Sequence, residues 1–235
     1  MREAELKAMV LNHLRLQRRI SRSAVIANEF AIARASVRSD LAILAREFIG
    51  IEIKSENDTL RRLVPQIRAY LTFFDSVMLF VASKHVNSIE LSELSGVEVW
   101  EISQDAQVKL VQDTRAATSK KASLLSLLTQ AERQKFYVRG PEIRDLGEHR
   151  SSTRLQDENA FERSAFENAF SARFGATSRR FWESVGRRKI NAADLTQLSR
   201  YRDRRAISKR WREERALARR QWALQFSAQE SNRIF

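Results

Sequence analysis

Hydrophobic and polar positions first alternate with a helical period. Across residues 2–17, Leu6, Met9, Val10, Leu14 and Leu16 recur near helical spacing, with Glu, Lys and Arg between them, which predicts an amphipathic helix. After Arg18-Arg19 the period changes. Residues 25–30, 37–44 and 49–54 read as three strands. The last is the clearest, because Ile49, Ile51 and Ile53 fall on one side and Glu52 and Lys54 on the other. Pro65 suits the opening of a helix, and Ile67, Leu71 and Phe74 carry that helix to about Asp75. The apolar run Val77–Ala82 predicts a buried strand, residues 88–94 a short helix, and Val97–Ile102 a further strand nearer a sheet edge.

The polar stretch 105–120 reads as a connector, and everything after it as helix. A leucine-rich segment runs over 123–137 and stops at Gly140-Pro141. Residues 142–158 are polar and predict a loop. Phe161, Phe166, Phe170 and Phe174 line a helix expected to end near Gly175, as core or as a surface for a partner helix. A long basic helix is expected from Ala192 to about Phe226. Trp182, Trp211 and Trp222 are expected to anchor helix packing. The division that follows is an α/β domain over 1–105, a connector over 106–122 and a basic helical domain over 123–235.

Charge sharpens this division. The chain of 235 residues has net charge +13. Residues 1–110 hold 15 basic against 14 acidic side chains, and the remainder 27 against 15. A neutral front and a basic rear point to a polyanion, most simply nucleic acid. On the expected C-terminal helix, Arg204, Arg205, Lys209, Arg212 and Arg219 are the candidate phosphate contacts. The absence of Cys removes disulfides, Cys-ligated metals and thiol nucleophiles. His13, His85 and His149 are too scattered for a His-rich metal site. The N-terminus lacks the apolar stretch of a signal peptide, and no run reaches membrane-spanning length. The expectation is a cytoplasmic protein with no membrane partner, forming a homodimer or meeting a protein partner through its helices.

The candidate chemistry lies in the strands. Period two puts Glu52 and Lys54 on one face, and antiparallel pairing brings Asp40 close to Glu52. Two carboxylates beside backbone carbonyls make a hard oxygen site for Mg²⁺ or Mn²⁺, with an ammonium at hand for water or phosphate. If the strand is interior, both charges demand partners or a metal.

Asp40, then Glu52-Ile53-Lys54, then a helix bearing Gln66 and Tyr70, resembles the PD-(D/E)XK, or restriction-endonuclease-like, nucleases. The Gln-x-x-x-Tyr spacing is similar to their RecB-like branch. Residues 28–60 are also similar to a small bacterial family related to the MmcB-like DNA-repair proteins. The resemblance covers about residues 1–105. It implies an α-β-β-β-α-β core with a mixed sheet and a metal-dependent deoxyribonuclease. Asp40, Glu52 and the carbonyl of Ile53 would bind the metal, Lys54 would position the water, Glu29 would be the upstream acid, and Gln66 would support Lys54 or contact DNA. Ser39 stands where the family has proline.

Two other readings differ in kind. Residues 21–44 can be drawn as a helix-turn-helix with a recognition helix over 35–41 and the Ile-rich segment as its wing. That regulator is separated from the nuclease by whether 37–43 is helix or strand. A nuclease-like fold that binds DNA without cutting it is the third.

Overall fold

The computed structural model describes residues 1–32, 37–113, 122–139, 152–199 and 215. Its elements are α1 (Glu3–Leu16), β1 (Val25–Ile32), β2 (Val37–Leu44), β3 (Phe48–Lys54), α2 (Leu63–Phe73), β4 (Ser76–Ala82), α3 (Ser83–Val86), β5 (Glu98–Ile102), β6 (Val108–Gln112), α4 (Gln130–Arg139) and α5 (Ser152–Val185). Short 3₁₀ segments occupy Leu91–Leu94, Leu124–Leu127 and Ala192–Leu198. The six strands form one mixed sheet in sequence order. Strands β1, β2 and β3 are antiparallel neighbours, β3, β4 and β5 run parallel, and β6 returns antiparallel. The front of the chain is thus α-β-β-β-α-β, and residues 25–32 and 37–44 are strands, not helices of a helix-turn-helix.

Both faces of the sheet are covered. Ile49, Ile51 and Ile53 share a core with Leu6, Leu11 and Leu14 of α1. Phe48 shares the other with Ile67 and Tyr70 of α2 and with Phe166, Phe170 and Phe174 of α5. The strand β3 is therefore interior and buried on both sides, which explains its nearly unbroken apolar run. Gly50 allows α2 to close on it, since a Cβ there would come within 2.7 Å of three ring carbons of Phe74.

The helix α5 departs from expectation. It already includes residues 152–158, expected as loop, and it continues past Gly175 to Val185. Phe166, Phe170 and Phe174 lie in one core, while Phe181, Trp182 and Val185 lie in the other, so α5 crosses from one face to the other along β1. There Ser178 Oγ accepts a hydrogen bond from the Ile26 amide at 2.8 Å, and Trp182 Nε1 donates to the Ala24 carbonyl at 2.8 Å. The free edge of β1 is covered by this crossing.

Other expectations shift as well. The connector contains β6, an edge strand pairing with β5. The helix expected over 123–137 is a 3₁₀ turn followed by α4. Met1–Leu198 forms one compact unit and Ser199–Phe235 another, so the division expected at 106–122 runs through a unit whose sheet and helices share cores. Ala192–Leu198 is a 3₁₀ segment with Leu195 and Leu198 buried, not the start of a long helix. The remainder of that expected helix, with Arg204, Arg205, Lys209, Arg212, Arg219, Trp211 and Trp222, lies outside the described residues. Among the described residues, no helix is long and apolar enough to cross a membrane.

Candidate functional site

The pairing of β2 with β3 is recorded from Leu44↔Phe48 to Leu41↔Ile51. One step further, Asp40 replaces backbone pairing with its own side chain: Oδ2 accepts the Ile53 amide hydrogen at 2.7 Å. The same position is irregular on β1. Asn28 pairs with Leu41 and Phe30 with Ser39, placing Glu29 across from Asp40. Glu29 has φ +61°, a left-handed conformation that residues other than glycine seldom adopt and that concentrates at functional sites. Ala27 and Phe30 belong to the same core although three residues apart, so the inward-outward alternation slips at this point.

Glu52 and Lys54 face α2 from the adjoining strand. Glu52 is only 3% exposed. Its Oε1 accepts from Lys54 Nζ at 2.6 Å, and its Oε2 accepts from the Tyr70 hydroxyl. Lys54 Nζ also donates to Gln66 Oε1 at 3.1 Å. Gln66 and Tyr70 stand one helical turn apart on α2, the spacing that puts two side chains on one face. The Tyr70 oxygen is also 3.0 Å from the Arg38 carbonyl. Asp40, Glu52, Lys54 and Gln66 are therefore brought together, with Tyr70 as a fifth member that both packs and bonds.

Lys7 is the residue that sequence reasoning missed. It projects from α1 on the opposite sheet face, and it is 2% exposed. Its ammonium lies 2.5 Å from Glu3 Oε1, 2.9 Å from Asn28 Oδ1, 3.3 Å from Glu29 Oε1 and 3.9 Å from Asp40 Oδ1. The signal was available: Lys7 falls three and four residues before Val10 and Leu11, on the apolar stripe of its helix. Glu29 itself is turned toward cations, with Arg38 Nη1 at 2.9 Å from its other oxygen.

The electrostatics follow from this crowding. Burial and the charge of Glu52 push the Asp40 carboxyl up to about 7, against the pull of the Ile53 amide, Lys7 and Lys54. Burial and Glu52 also push the Tyr70 phenol up, so it stays protonated and donates. The Arg38 guanidinium, then Lys7, hold Glu29 below the usual carboxylate range despite its partial burial. Asp40 and Glu52 repel each other and are of the hard oxygen type that divalent ions take, while both Glu52 oxygens are engaged, by Lys54 and by Tyr70. Among the described residues no group of three His, Asp or Glu side chains converges on one point.

Residues 1–199 match the family described as Bacteriophage P4 protein cII. The chain belongs to the phage P4 cII family. The match takes in every residue of the cluster and ends one residue beyond the compact unit Met1–Leu198. Protein cII of Enterobacteria phage P4 is 30% identical over 121 residues, covering 50% of this chain and 46% of that protein. The matched stretch thus spans about half of the cII relative. The SPO1766 protein of unknown function from Silicibacter pomeroyi is 23% identical, with a TM-score of 0.36 over 61% of this chain and 95% of that one.

Proposed function

We propose that this cII-family chain is a metal-dependent nuclease that hydrolyses DNA phosphodiester bonds on a restriction-endonuclease-like core. The observation that carries the reading is the Asp40–Glu52–Lys54 cluster at the end of the β2–β3 pairing, with Glu52 buried and Asp40 and Lys54 partly exposed, held by Gln66 and Tyr70. A fold gains nothing from gathering two acids and an ammonium on two adjoining strands unless they are used or tightly compensated.

Asp40, Glu52 and the Ile53 carbonyl would hold Mg²⁺ or Mn²⁺, which polarises a phosphodiester and lowers the pKa of an attacking water. The chain's own residues do the positioning. Asp40 must give up its proton to act as a ligand, and Lys7 and Lys54 favour that ionised form. Tyr70 fixes one oxygen of Glu52 through a donor that does not ionise near neutral pH. Gln66 fixes the Lys54 ammonium by accepting one of its hydrogens, leaving a donor for a water or a phosphate oxygen. The positive balance of residues 111–235 favours a polyanionic substrate.

The test is incubation of plasmid and single-stranded DNA with Mg²⁺ or Mn²⁺, using the parent chain, Asp40→Ala and Lys54→Ala, each checked for folding by circular dichroism. The expected outcome is cleavage by the parent and a loss of about 100-fold or more in each variant. Cleavage that survives both substitutions overturns the site. A parent that binds DNA and never cuts it overturns the hydrolase and leaves a DNA-binding module.

A further inference from the structure

A second polar concavity, of about 570 Å³, lies at the end of the β1–β2 ladder, where Val25 pairs with Leu44. It stands four residues along β2 from Asp40, about 13 Å at the usual strand rise. Its walls come from the loop after α1, the turn after β2, and α5. Three arginines line it. Arg19 is engaged, its guanidinium bridging Glu98 at 3.0 Å and Glu47 at 2.9 Å. Arg18 and Arg46 are exposed, and among the described residues neither guanidinium has a partner. The acid that lines the cleft, Glu167, is held by Arg163 at 2.5 Å. Asn168 and Ser171 of α5 add polar groups that have no hydrogen-bond partner among the described residues, and Ser21 and Ser23 add hydroxyls.

Two exposed guanidiniums lining one cleft can both donate charge-assisted hydrogen bonds to an anion bound in it. Arg18 stands at the left-handed C′ position that ends α1, with φ +56°, its amide on the Arg15 carbonyl at 3.1 Å and the Arg19 amide on the Leu14 carbonyl at 2.9 Å, the usual helix-ending cap. The volume is that of a small-molecule site, large enough for a nucleotide.

We propose that this cleft binds a nucleotide phosphate, clamped by Arg18 and Arg46 and supported by Asn168 and Ser171. The site is separate from the Asp40 cluster and does not depend on hydrolysis there. The phosphate comes from a free mononucleotide or from one nucleotide of a strand.

The experiment uses the full chain in EDTA, which prevents metal-dependent cleavage. Fluorescein-labelled AMP and a labelled oligothymidylate are titrated by anisotropy against the parent, Arg18→Gly and Arg46→Gln. Arg18→Gly removes the cation and relaxes the backbone, so its loss of binding cannot be ascribed to misfolding, and melting temperatures check both variants. The expected result is weakening of about 10-fold in each. Weakened AMP binding identifies a free nucleotide as ligand. Weakening seen only with the oligonucleotide, with the salt slope lowered by about one per arginine, identifies a strand. Binding unchanged in both variants, or no binding of either probe by the parent, overturns the proposal.

Discussion

Asp40 carries the sharpest consequence at the level of single residues. An unfolded aspartate ionises near pH 3.9, whereas burial and Glu52 hold the folded Asp40 carboxyl up to about 7. Between those values the folded chain binds the extra proton. Asp40 therefore makes the metal-free protein less stable as pH rises from about 4 to about 7, the reverse of a salt-bridged carboxylate. Asp40→Asn cannot ionise and still accepts the Ile53 amide. Urea unfolding at about pH 4.5 and about pH 8 should show a smaller decline in the variant than in the parent. An equal decline in both would contradict the assigned environment. At this scale the sequence revealed Asp40, Glu52, Lys54 and Gln66 because charges interrupting an Ile-rich strand stand out. Lys7 carries a signal as well, its place on the apolar stripe of α1, but a lysine at such a position usually snorkels to water. Glu29 was found, but its left-handed backbone has no signature in a glutamate.

Among the elements, strong periodicity was legible and weak periodicity was not. The interior strands β3 and β4 are covered on both faces, so their apolar runs were plain. The edge strand β6 has no fully buried residue, and a five-residue segment set in a polar stretch is too short to be told from a connector. Gly175 read as a helix stop, yet packing on both sides of it, by Phe174 and by Phe181, carries α5 through. Gly50 is the element-scale test. Gly50→Ala forces its new methyl into the Phe74 ring and should cost about 1–3 kcal/mol. Part of that loss should return when Phe74→Leu is added, since the two residues share one gap. Chemical denaturation of the two single variants and the double variant measures the coupling. Strictly additive losses would show that α2 does not rest on Gly50.

For the whole molecule, the sequence suggested separate sheet and helix domains, because strand patterns give way to helical ones across a polar stretch and the charge changes near residue 110. Charge describes surfaces, however, and cores are shared underneath them. The Phe stripe of α5 completes one core, and Phe181 and Trp182 complete the other, so the basic rear of the chain begins inside the compact unit. What that unit holds in place is the opening between β2 and β3, with α1 bringing Lys7 from one face and α2 bringing Gln66 and Tyr70 from the other. The central claim is that this opening accepts one divalent ion. Calorimetric titration of Mn²⁺ into the full chain near pH 8 tests it. The account predicts one ion bound per chain, with affinity falling at least 10-fold in Asp40→Asn and in Glu52→Gln. No binding by the parent, or binding indifferent to both substitutions, would contradict it.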